Sequence, residues 1–392
     1  MNKRSVRDLD VQGKRVLVRV DFNVPVKDGE VTDDTRIQRA LPTIRHLLSE
    51  GGRPVLISHL GRPKGEPDPK YAMDPVAKRL EEVLGEPVLK LDAAIGSEVE
   101  EVLDNWDGRG VVLLENSRFY PGETKNDPDL SEQLASLADL YVNDAFGAAH
   151  RAHATTVGVA ERLPAAAGLL LEEEVDYLDG VLEDPERPFV AILGGAKVSD
   201  KLGVIESLLK VADTLLIGGA MCFTFFKAQG YEVGESLVED DYLEEARRLL
   251  DEAGEKLVLP VDVVVAEKMG EYAEGETVGV ENIPPGKMGL DIGPRTVGLF
   301  GERISGAKTI FWNGPMGVFE IDAFAKGTEG VAHAVAVASA TSVVGGGDSV
   351  AAVRKLGLED RMSHISTGGG ASLEYIEGKE LPGVAVLPEK GA

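Results

Sequence analysis

Short apolar runs alternate with stretches of helical periodicity along the whole chain. The runs Arg15–Phe22 and Phe189–Leu193 have the length and composition of buried strands, whereas Asp74–Leu84 repeats its apolar positions at helical spacing. Regular alternation of strand and helix predicts parallel sheets with helices on both faces. We therefore predict an α/β fold with two domains of similar size, each built on a parallel sheet.

The same pattern gives bounds for the individual elements and for the domains. The predicted strands are Arg15–Phe22, Pro54–His59, Pro87–Leu91, Val111–Glu115, Leu140–Val142, Phe189–Leu193, Thr214–Ile217, Lys256–Val265, Thr309–Trp312, Thr341–Val344 and Met362–Ile365. The main predicted helices are Asp33–Leu48, Asp74–Leu84, Gly96–Leu103, Leu130–Ala138, Glu172–Leu182, Asp200–Val211 and Asp322–Ser339. We expect an N-terminal domain over 1–171, a connecting helix and hinge over 172–187, and a C-terminal domain over 188–392, whose last residues return to the first domain.

Two glycine-rich loops in the second half predict a phosphate site. In Thr341–Leu356 an apolar run ends in Gly345, Gly346 and Gly347, and Asp348 then stands where a helix would begin. Backbone N–H groups at such a turn attract anions, and an aspartate beside a phosphate requires a divalent cation between them. The loop Ser366–Ala371 has the same form. The alternative is an ordinary strand–helix turn with Asp348 as its N-cap.

Basic side chains collect in the predicted strand-end loops of the first half. His59, Arg62, Arg118 and Arg151 all follow predicted strands, and ligands of open α/β sheets bind at the carboxyl ends of strands. This cluster predicts an anion site for a small phosphorylated carboxylate. Two alternatives stay open: the histidines of these loops could bind a metal, and Arg118 and Arg151 could form structural ion pairs.

Composition excludes several function classes. The 392 residues carry a net charge of −26, which disfavours nucleic-acid binding because that binding depends on Lys and Arg. The single cysteine excludes internal disulfides, and neither a signal peptide nor a membrane span is expected. We expect a cytoplasmic monomer without membrane or nucleic-acid partners. An acidic surface with few lysines also suits a salt-rich cytoplasm, although an ordinary acidic protein is the simpler interpretation.

Eight segments together resemble the phosphoglycerate kinases, in the order of that family and over nearly the whole chain. They are R-V-D-F-N-V-P, S-H-L-G-R-P, L-L-E-N-S-R-F, N-D-A-F-G-A-A-H-R-A-H-A-T-T, I-L-G-G-A-K-V-S-D-K, F-W-N-G-P-M-G-V-F-E, V-V-G-G-G-D-S and S-T-G-G-G-A-S-L-E. The resemblance implies an α/β fold of two Rossmann-like domains with parallel sheets, separated by a hinged cleft. It implies reversible phosphoryl transfer between 1,3-bisphosphoglycerate with ADP and 3-phosphoglycerate with ATP, with Mg²⁺ as cofactor. The loop Ser117–Asp127 resembles the archaeal branch.

The resemblance also assigns expected roles to individual residues. The 3-phosphoglycerate site would comprise Asp21, Phe22, Asn23, Arg36, His59, Leu60, Gly61, Arg62, Arg118 and Arg151. The nucleotide site would comprise Gly195, Lys197, Lys201, Gly219, Gly289, Leu290, Asn313, Val318, Glu320, Gly346, Gly347, Asp348 and Ser349, with Asp348 as the metal ligand. Catalysis would depend on Arg36, Lys197, Gly347 and Gly370. Ser349 departs from the threonine usual in the family but keeps the hydroxyl.

Two rival function classes fit the sequence less well. A dinucleotide-dependent dehydrogenase needs G-x-G-x-x-G after its first strand, and here that position has D-F-N-V-P. A non-catalytic nucleotide-binding module would have no use for Arg36, Arg62, Arg118 and Arg151 in the other domain.

Overall fold

The computed structural model describes residues 1–391 and divides the chain into two compact units. The N-terminal unit comprises Met1–Asp176 together with the segment from Glu380 onward, and the C-terminal unit comprises Tyr177–Lys379. Among the residues described, no helix has the length and apolar character that a membrane span requires.

The N-terminal unit is built on a six-stranded parallel sheet with the strand order β5-β6-β4-β1-β7-β8. Its strands, including a small β2–β3 hairpin outside the sheet, are β1 (Arg15–Arg19), β2 (Val26–Lys27), β3 (Glu30–Val31), β4 (Arg53–Ile57), β5 (Val88–Lys90), β6 (Val111–Leu113), β7 (Leu140–Asn143) and β8 (Ala165–Ala167). Residues Val16 to Arg19 of β1 are all fully buried, as expected for a central parallel strand covered on both faces.

Helices cover this sheet. They are α1 (Thr35–Ser49), α2 (Asp74–Leu84), α3 (Ser97–Asn105), α4 (Pro128–Ala135) and the first part of α5 (Leu169–Leu182), with the short α13 (Pro382–Ala385) from the C-terminal segment. Helix α2 matches its predicted bounds because both ends carry local signals. Pro75 lies in its first turn, and Gly85 ends it with φ of 76°.

The C-terminal unit contains a second six-stranded parallel sheet, in the order β11-β10-β9-β15-β16-β17. Its strands are β9 (Phe189–Leu193), β10 (Thr214–Ile217), β11 (Leu257–Val258), β12 (Asp262–Ala266), β13 (Glu276–Gly279), β14 (Met288–Ile292), β15 (Thr309–Asn313), β16 (Thr341–Gly345) and β17 (His364–Ile365). Its complete helices are α6 (Leu202–Val211), α7 (Cys222–Ala228), α8 (Leu243–Ala253), α9 (Pro294–Ser305), α10 (Lys326–Val337), α11 (Gly347–Lys355) and α12 (Gly370–Ile376). In chain order the sheet is 3-2-1-4-5-6, the doubly wound arrangement in which ligands bind where the order reverses.

The predicted strand Lys256–Val265 is wrong, because the structure contains two strands there in different sheets. Leu257–Val258 pairs in parallel with β10, whereas Asp262–Ala266 is the central strand of an antiparallel sheet with β13 and β14. Pro260 lies between them and has no backbone N–H to donate to a ladder. The expectation of purely parallel sheets therefore missed this three-stranded antiparallel layer.

Candidate active site

In the N-terminal unit, the loops that follow β1, β4 and β6 are tied together by hydrogen bonds. The Gly61 backbone N–H donates to Asn23 Oδ1 over 2.9 Å, and Phe22 N–H donates to Ser58 Oγ over 2.8 Å. Asn116 Oδ1 accepts from the backbone N–H groups of Leu60 and Arg118. These bonds fix the predicted anion-binding loops relative to one another. The Phe22 and Leu60 side chains lie in the core, so these residues offer a ligand chiefly backbone atoms.

Asp21 and Arg36 form the best-defined ion pair at these strand ends. Arg36 Nη1 donates to Asp21 Oδ2 over 2.6 Å, with Asp21 almost buried and Arg36 about one-third exposed. Burial by itself would raise the pKa of Asp21, but the charges of Arg36 and Arg19 outweigh it and hold the pKa below its ordinary value. Asp21 therefore stays ionised and orients the Arg36 guanidinium.

Three further predicted arginines concentrate positive charge beside this pair. Arg118 Nη1 donates to the Gly61 carbonyl over 2.9 Å, and its buried Nε has no hydrogen-bond partner in the described part of the chain. Burial, with the neighbouring charges of Arg19, Arg151 and Arg62 in addition, lowers the pKa of Arg118. Arg62 and Arg151 are exposed. Because these cations repel one another, a bound anion would stabilise the cluster, and an anion is the kind of ligand that the sequence analysis expects here.

Sequence reasoning missed the buried charges beneath these loops. Arg19 is fully buried at the end of β1 and contacts His59, and Glu123 is fully buried nearby. An arginine inside an otherwise apolar central strand was the available signal. The alternative of a histidine metal site has no support, because no cluster of three or more His, Cys, Asp or Glu ligands occurs within residues 1–391.

In the C-terminal unit, the loops after β9 and β15 meet at the point where the strand order reverses. A Cβ atom on Gly194 would lie 2.0 Å from the Pro315 carbonyl oxygen, so only glycine fits there. Gly314, with φ of 100°, lies equally close to Gly194. The two backbones therefore form a tight floor at the expected ligand position of a doubly wound sheet.

A cavity of about 510 Å³ opens beside this floor. Seven residues predicted from the resemblance line it: Gly195, Gly219, Gly289, Leu290, Val318, Glu320 and Asp348. Sequence reasoning missed other lining residues, including Phe223, Met288, Asp291 and Met316. A mostly apolar cavity with a few polar groups at one end has the dimensions and chemistry of a small-ligand site.

Asp291 forms part of the wall of this cavity from a buried position. Its Oδ2 accepts from the Gly327 N–H over 2.7 Å, and its Oδ1 accepts from the Ile292 N–H over 2.9 Å. Burial raises the pKa of Asp291 to about 7 despite these bonds. A Cβ on Gly317 would meet its Oδ1 at 2.3 Å, so Asp291 supports the Gly317 turn next to Val318.

The polar end of the cavity lies at the start of α11. Gly346, with φ of 90°, is the N-cap and α11 begins at Gly347, so the alternative of Asp348 as N-cap is wrong. Asp348 is exposed in the first turn of α11. Ser349 is buried, and its hydroxyl accepts from the Gly314 N–H over 2.6 Å, which connects α11 to the loop after β15.

Asn313 and the two predicted lysines complete this end of the unit. Lys201 Nζ donates to Asn313 Oδ1, while Asn313 Nδ2 is buried without a partner within the described residues. That Nδ2 would lie 2.9 Å from a Cβ on Gly346, so it faces the glycine loop. Burial lowers the pKa of Lys201 although Asp200, Asp348 and Glu377 act against it. Lys197 is exposed and is absent from the cavity lining.

The second glycine loop has its own internal hydrogen bonds. Gly368 N–H donates to Ser366 Oγ over 3.1 Å, and the hydroxyls of Ser366 and Ser372 are 2.6 Å apart. Gly369, with φ of 55°, precedes α12, which begins at Gly370.

Known proteins of one family align with this chain over nearly its whole length. Residues 6–379 match the family model for phosphoglycerate kinase. The chain is 79% identical over 390 residues to the phosphoglycerate kinase of Rubrobacter xylanophilus, covering 100% of this chain and 99% of that one. It is 57% identical over 397 residues to that of Thermosipho africanus, again covering 100% and 99%.

Two solved structures match the fold at similar coverage. The phosphoglycerate kinase from Coxiella burnetii aligns with a TM-score of 0.89 at 42% identity, and that from Pyrococcus horikoshii aligns with 0.84 at 34%. Each comparison covers 98% of both chains. The prediction of an archaeal-type chain is not supported, because the relatives that are 79% and 57% identical are bacterial.

Proposed function

Since the chain belongs to the phosphoglycerate kinase family, we propose that its N-terminal unit binds 3-phosphoglycerate and its C-terminal unit binds the magnesium complex of ADP or ATP. The enzyme is a phosphotransferase with a carboxyl acceptor. It catalyses reversible phosphoryl transfer between 1,3-bisphosphoglycerate with ADP and 3-phosphoglycerate with ATP.

The arginine-rich loops support the assignment of the acid substrate to the N-terminal unit. Arg62, Arg118 and Arg151 neutralise the substrate's phosphate, and the free Nε of Arg118 is one donor available to it. Asp21, Asn23 and His59 orient the substrate's hydroxyl and carboxylate. Arg36, held by Asp21, points its guanidinium at the transferring group.

The cavity of the C-terminal unit is the observation that carries the nucleotide assignment. Gly195, Gly219, Gly289, Leu290 and Val318 form its apolar part, which suits adenosine. The exposed Glu320 accepts from the ribose hydroxyls. At the other end, Lys201, Asn313 and the N-terminus of α11 receive the phosphates.

The residues at this polar end fit a magnesium ion bound together with a nucleotide. Mg²⁺ in such sites takes one or two carboxylates and completes its shell with phosphate oxygens and water. Asp348 supplies one exposed carboxylate for the cation, and the unpartnered Asn313 Nδ2, which is a hydrogen-bond donor facing the same loop, suits a phosphate oxygen. When bound, Mg²⁺ neutralises charge on the phosphates.

Catalysis in this assignment requires no general base, because the acceptor carboxylate is already ionised at neutral pH. The protein's contribution is to position the reactants and to stabilise charge on the moving phosphoryl group. Arg36 and Lys197 supply cations, and the backbone N–H groups at Gly347 and Gly370 supply dipoles.

A two-site arrangement of this kind requires the two units to approach each other during catalysis. Direct transfer needs reacting atoms about 3–3.5 Å apart and the exclusion of water from an acyl phosphate. We propose that residues 172–187 act as the hinge. Either ligand alone contacts mainly one unit and has little differential affinity for the closed state. The radius of gyration from small-angle scattering should therefore fall clearly only when both substrates are present, and a ligand-independent radius would exclude this hinge.

A coupled assay with 3-phosphoglycerate and ATP tests the overall assignment. Production of ADP should require both substrates and Mg²⁺ and should stop with EDTA. Activity with 2-phosphoglycerate equal to that with 3-phosphoglycerate would contradict the proposed acid site. We further propose a cytoplasmic monomer without nucleic-acid or membrane partners. Adaptation to salt stays a hypothesis that is tested below.

A further inference from the structure

Arg19 lies where a charged side chain is rarely found. It is the last residue of the central strand β1 and is fully buried, and its guanidinium contacts other residues of the N-terminal unit. Its Nε donates to Thr155 Oγ1 over 2.8 Å and its Nη1 donates to the Val20 carbonyl. Its Nη2 lies 2.9 Å from His59 Nδ1. With no exposed surface, Arg19 cannot itself contact a substrate, so its role must be exerted through its neighbours.

The charge of Arg19 is balanced through Thr155. The Thr155 hydroxyl accepts from Arg19 and donates to Glu123 Oε1 over 2.5 Å, while its backbone N–H donates to Glu123 Oε2 over 3.1 Å. Glu123 is also fully buried. This relay fixes the guanidinium in one orientation and explains how two buried charges are tolerated in the core.

The contact with His59 determines which ring nitrogen carries the proton. A guanidinium has five N–H donors, no acceptor, and does not deprotonate in proteins. His59 Nδ1 must therefore accept from Arg19, which leaves the proton of a neutral imidazole on Nε2. A proton on Nδ1 would point directly at a donor.

We propose that Arg19 is a positioning residue that locks His59 as the neutral Nε2–H tautomer, so that His59 acts as a fixed hydrogen-bond donor to the acid substrate. This inference rests on the assignment of His59 to the 3-phosphoglycerate site. The groups that act on the ring are Arg19, Asp21, Arg118 and Arg36, three of them cationic. Burial and these cations hold the pKa of His59 well below its ordinary value, against the opposing effect of Asp21.

The test reads the tautomer directly. Long-range ¹H–¹⁵N NMR of the full-length protein with ¹⁵N-labelled histidine distinguishes the two ring nitrogens, and the His59 signals are assigned with a His59→Gln variant. In the absence of ligand, His59 should show the neutral Nε2–H tautomer at neutral pH. An Nδ1–H tautomer, or an imidazolium at neutral pH, would overturn the proposal.

Paired variants separate this role from a purely structural one. The double variant Arg19→Met/Glu123→Gln removes both buried charges together, and Glu123→Gln alone keeps the Arg19–His59 contact. The double variant should release the His59 tautomer and raise KM for 3-phosphoglycerate about tenfold or more, with KM for ATP unchanged. Glu123→Gln should leave the tautomer unchanged. A double variant that keeps the wild-type tautomer would overturn the proposal, and if it does not fold the wild-type spectrum decides.

Addition of 3-phosphoglycerate distinguishes this inference from the site assignment. The Nε2–H signal of His59 should shift when the ligand binds. The correct tautomer without any shift would remove His59 from the acid site and overturn its role as donor. It would leave the enzyme's activity and the other assigned residues untouched.

Discussion

Individual charged residues in this protein are held by partners that define their chemical state. Asp21 is kept ionised beside Arg36, and Asp291, with no cation to offset its burial, has its pKa raised to about 7. The difference follows from the neighbours of each carboxylate rather than from the residue type. The strand ends of the N-terminal unit therefore hold an ion pair, whereas the wall of the cavity contains a carboxyl group whose pKa is raised by burial.

Replacement of Arg36 by alanine tests its proposed catalytic role. Arg36→Ala should lower kcat by roughly 10³–10⁵, the range for an arginine that stabilises charge in phosphoryl transfer. Arg45→Ala is a matched control on the same helix, because Arg45 is exposed and donates to the Val83 carbonyl rather than to a side chain of the proposed site. Steady-state kinetics that give less than a tenfold loss for Arg36→Ala would remove it from the catalytic residues.

Among the secondary-structure elements, the start of α11 depends on a glycine whose backbone conformation other residues rarely adopt. Gly346 combines φ of 90° with a Cβ position 2.9 Å from Asn313 Nδ2. The geometry of the turn before α11 therefore requires a residue without a Cβ atom at position 346. The backbone N–H groups that we propose as phosphate ligands keep their arrangement only while that turn is kept.

Gly346→Ala should raise KM for Mg-ATP by about tenfold or more and leave KM for 3-phosphoglycerate unchanged. The added Cβ displaces Asn313 and forces a strained φ, which costs about 1–2 kcal/mol. Gly85→Ala is the control, since Gly85 has φ of 76° at the end of α2 and open space around its Cβ position. Both variants should lose comparable thermal stability. An equal change in nucleotide KM for the two would contradict the proposed role of the turn.

The sequence was informative wherever a local signal decides the structure. Helix α2 and strands β9 and β10 match their predicted bounds, because apolar period and turn residues agree there. Strand β13 escaped prediction because Glu276–Gly279 is mostly exposed at a sheet edge and has no apolar run. Arg19 and Asp291 escaped because their importance depends on contacts between distant segments, which periodicity does not encode.

At the scale of the whole molecule, net charge is the feature that departs most from an ordinary enzyme. The chain has a net charge of −26 and an isoelectric point near 4.7. Mutual repulsion of carboxylates opposes the compact state, and salt weakens that repulsion. We therefore expect the net charge to affect the stability of the folded protein.

The melting temperature should rise as KCl increases from about 0.1 M to about 2 M. The screening length falls to about 3 Å near 1 M salt, which removes most repulsion between surface carboxylates. Differential scanning calorimetry at constant pH measures the effect, and sorbitol at matched osmolality serves as the control. A melting temperature that stays constant or falls as KCl increases would favour the interpretation of an ordinary acidic protein.

We propose that each unit of this protein binds one substrate independently of the other unit. Isothermal titration calorimetry with two variants tests this division of the substrates. Asp348→Asn should weaken Mg-ATP binding about tenfold or more while 3-phosphoglycerate binding stays at the wild-type level, because only the nucleotide requires the cation. Arg118→Ala should do the reverse, and the exposed Asp360→Asn should alter neither. If either site variant weakens both ligands equally, the division of substrates between the two units is contradicted.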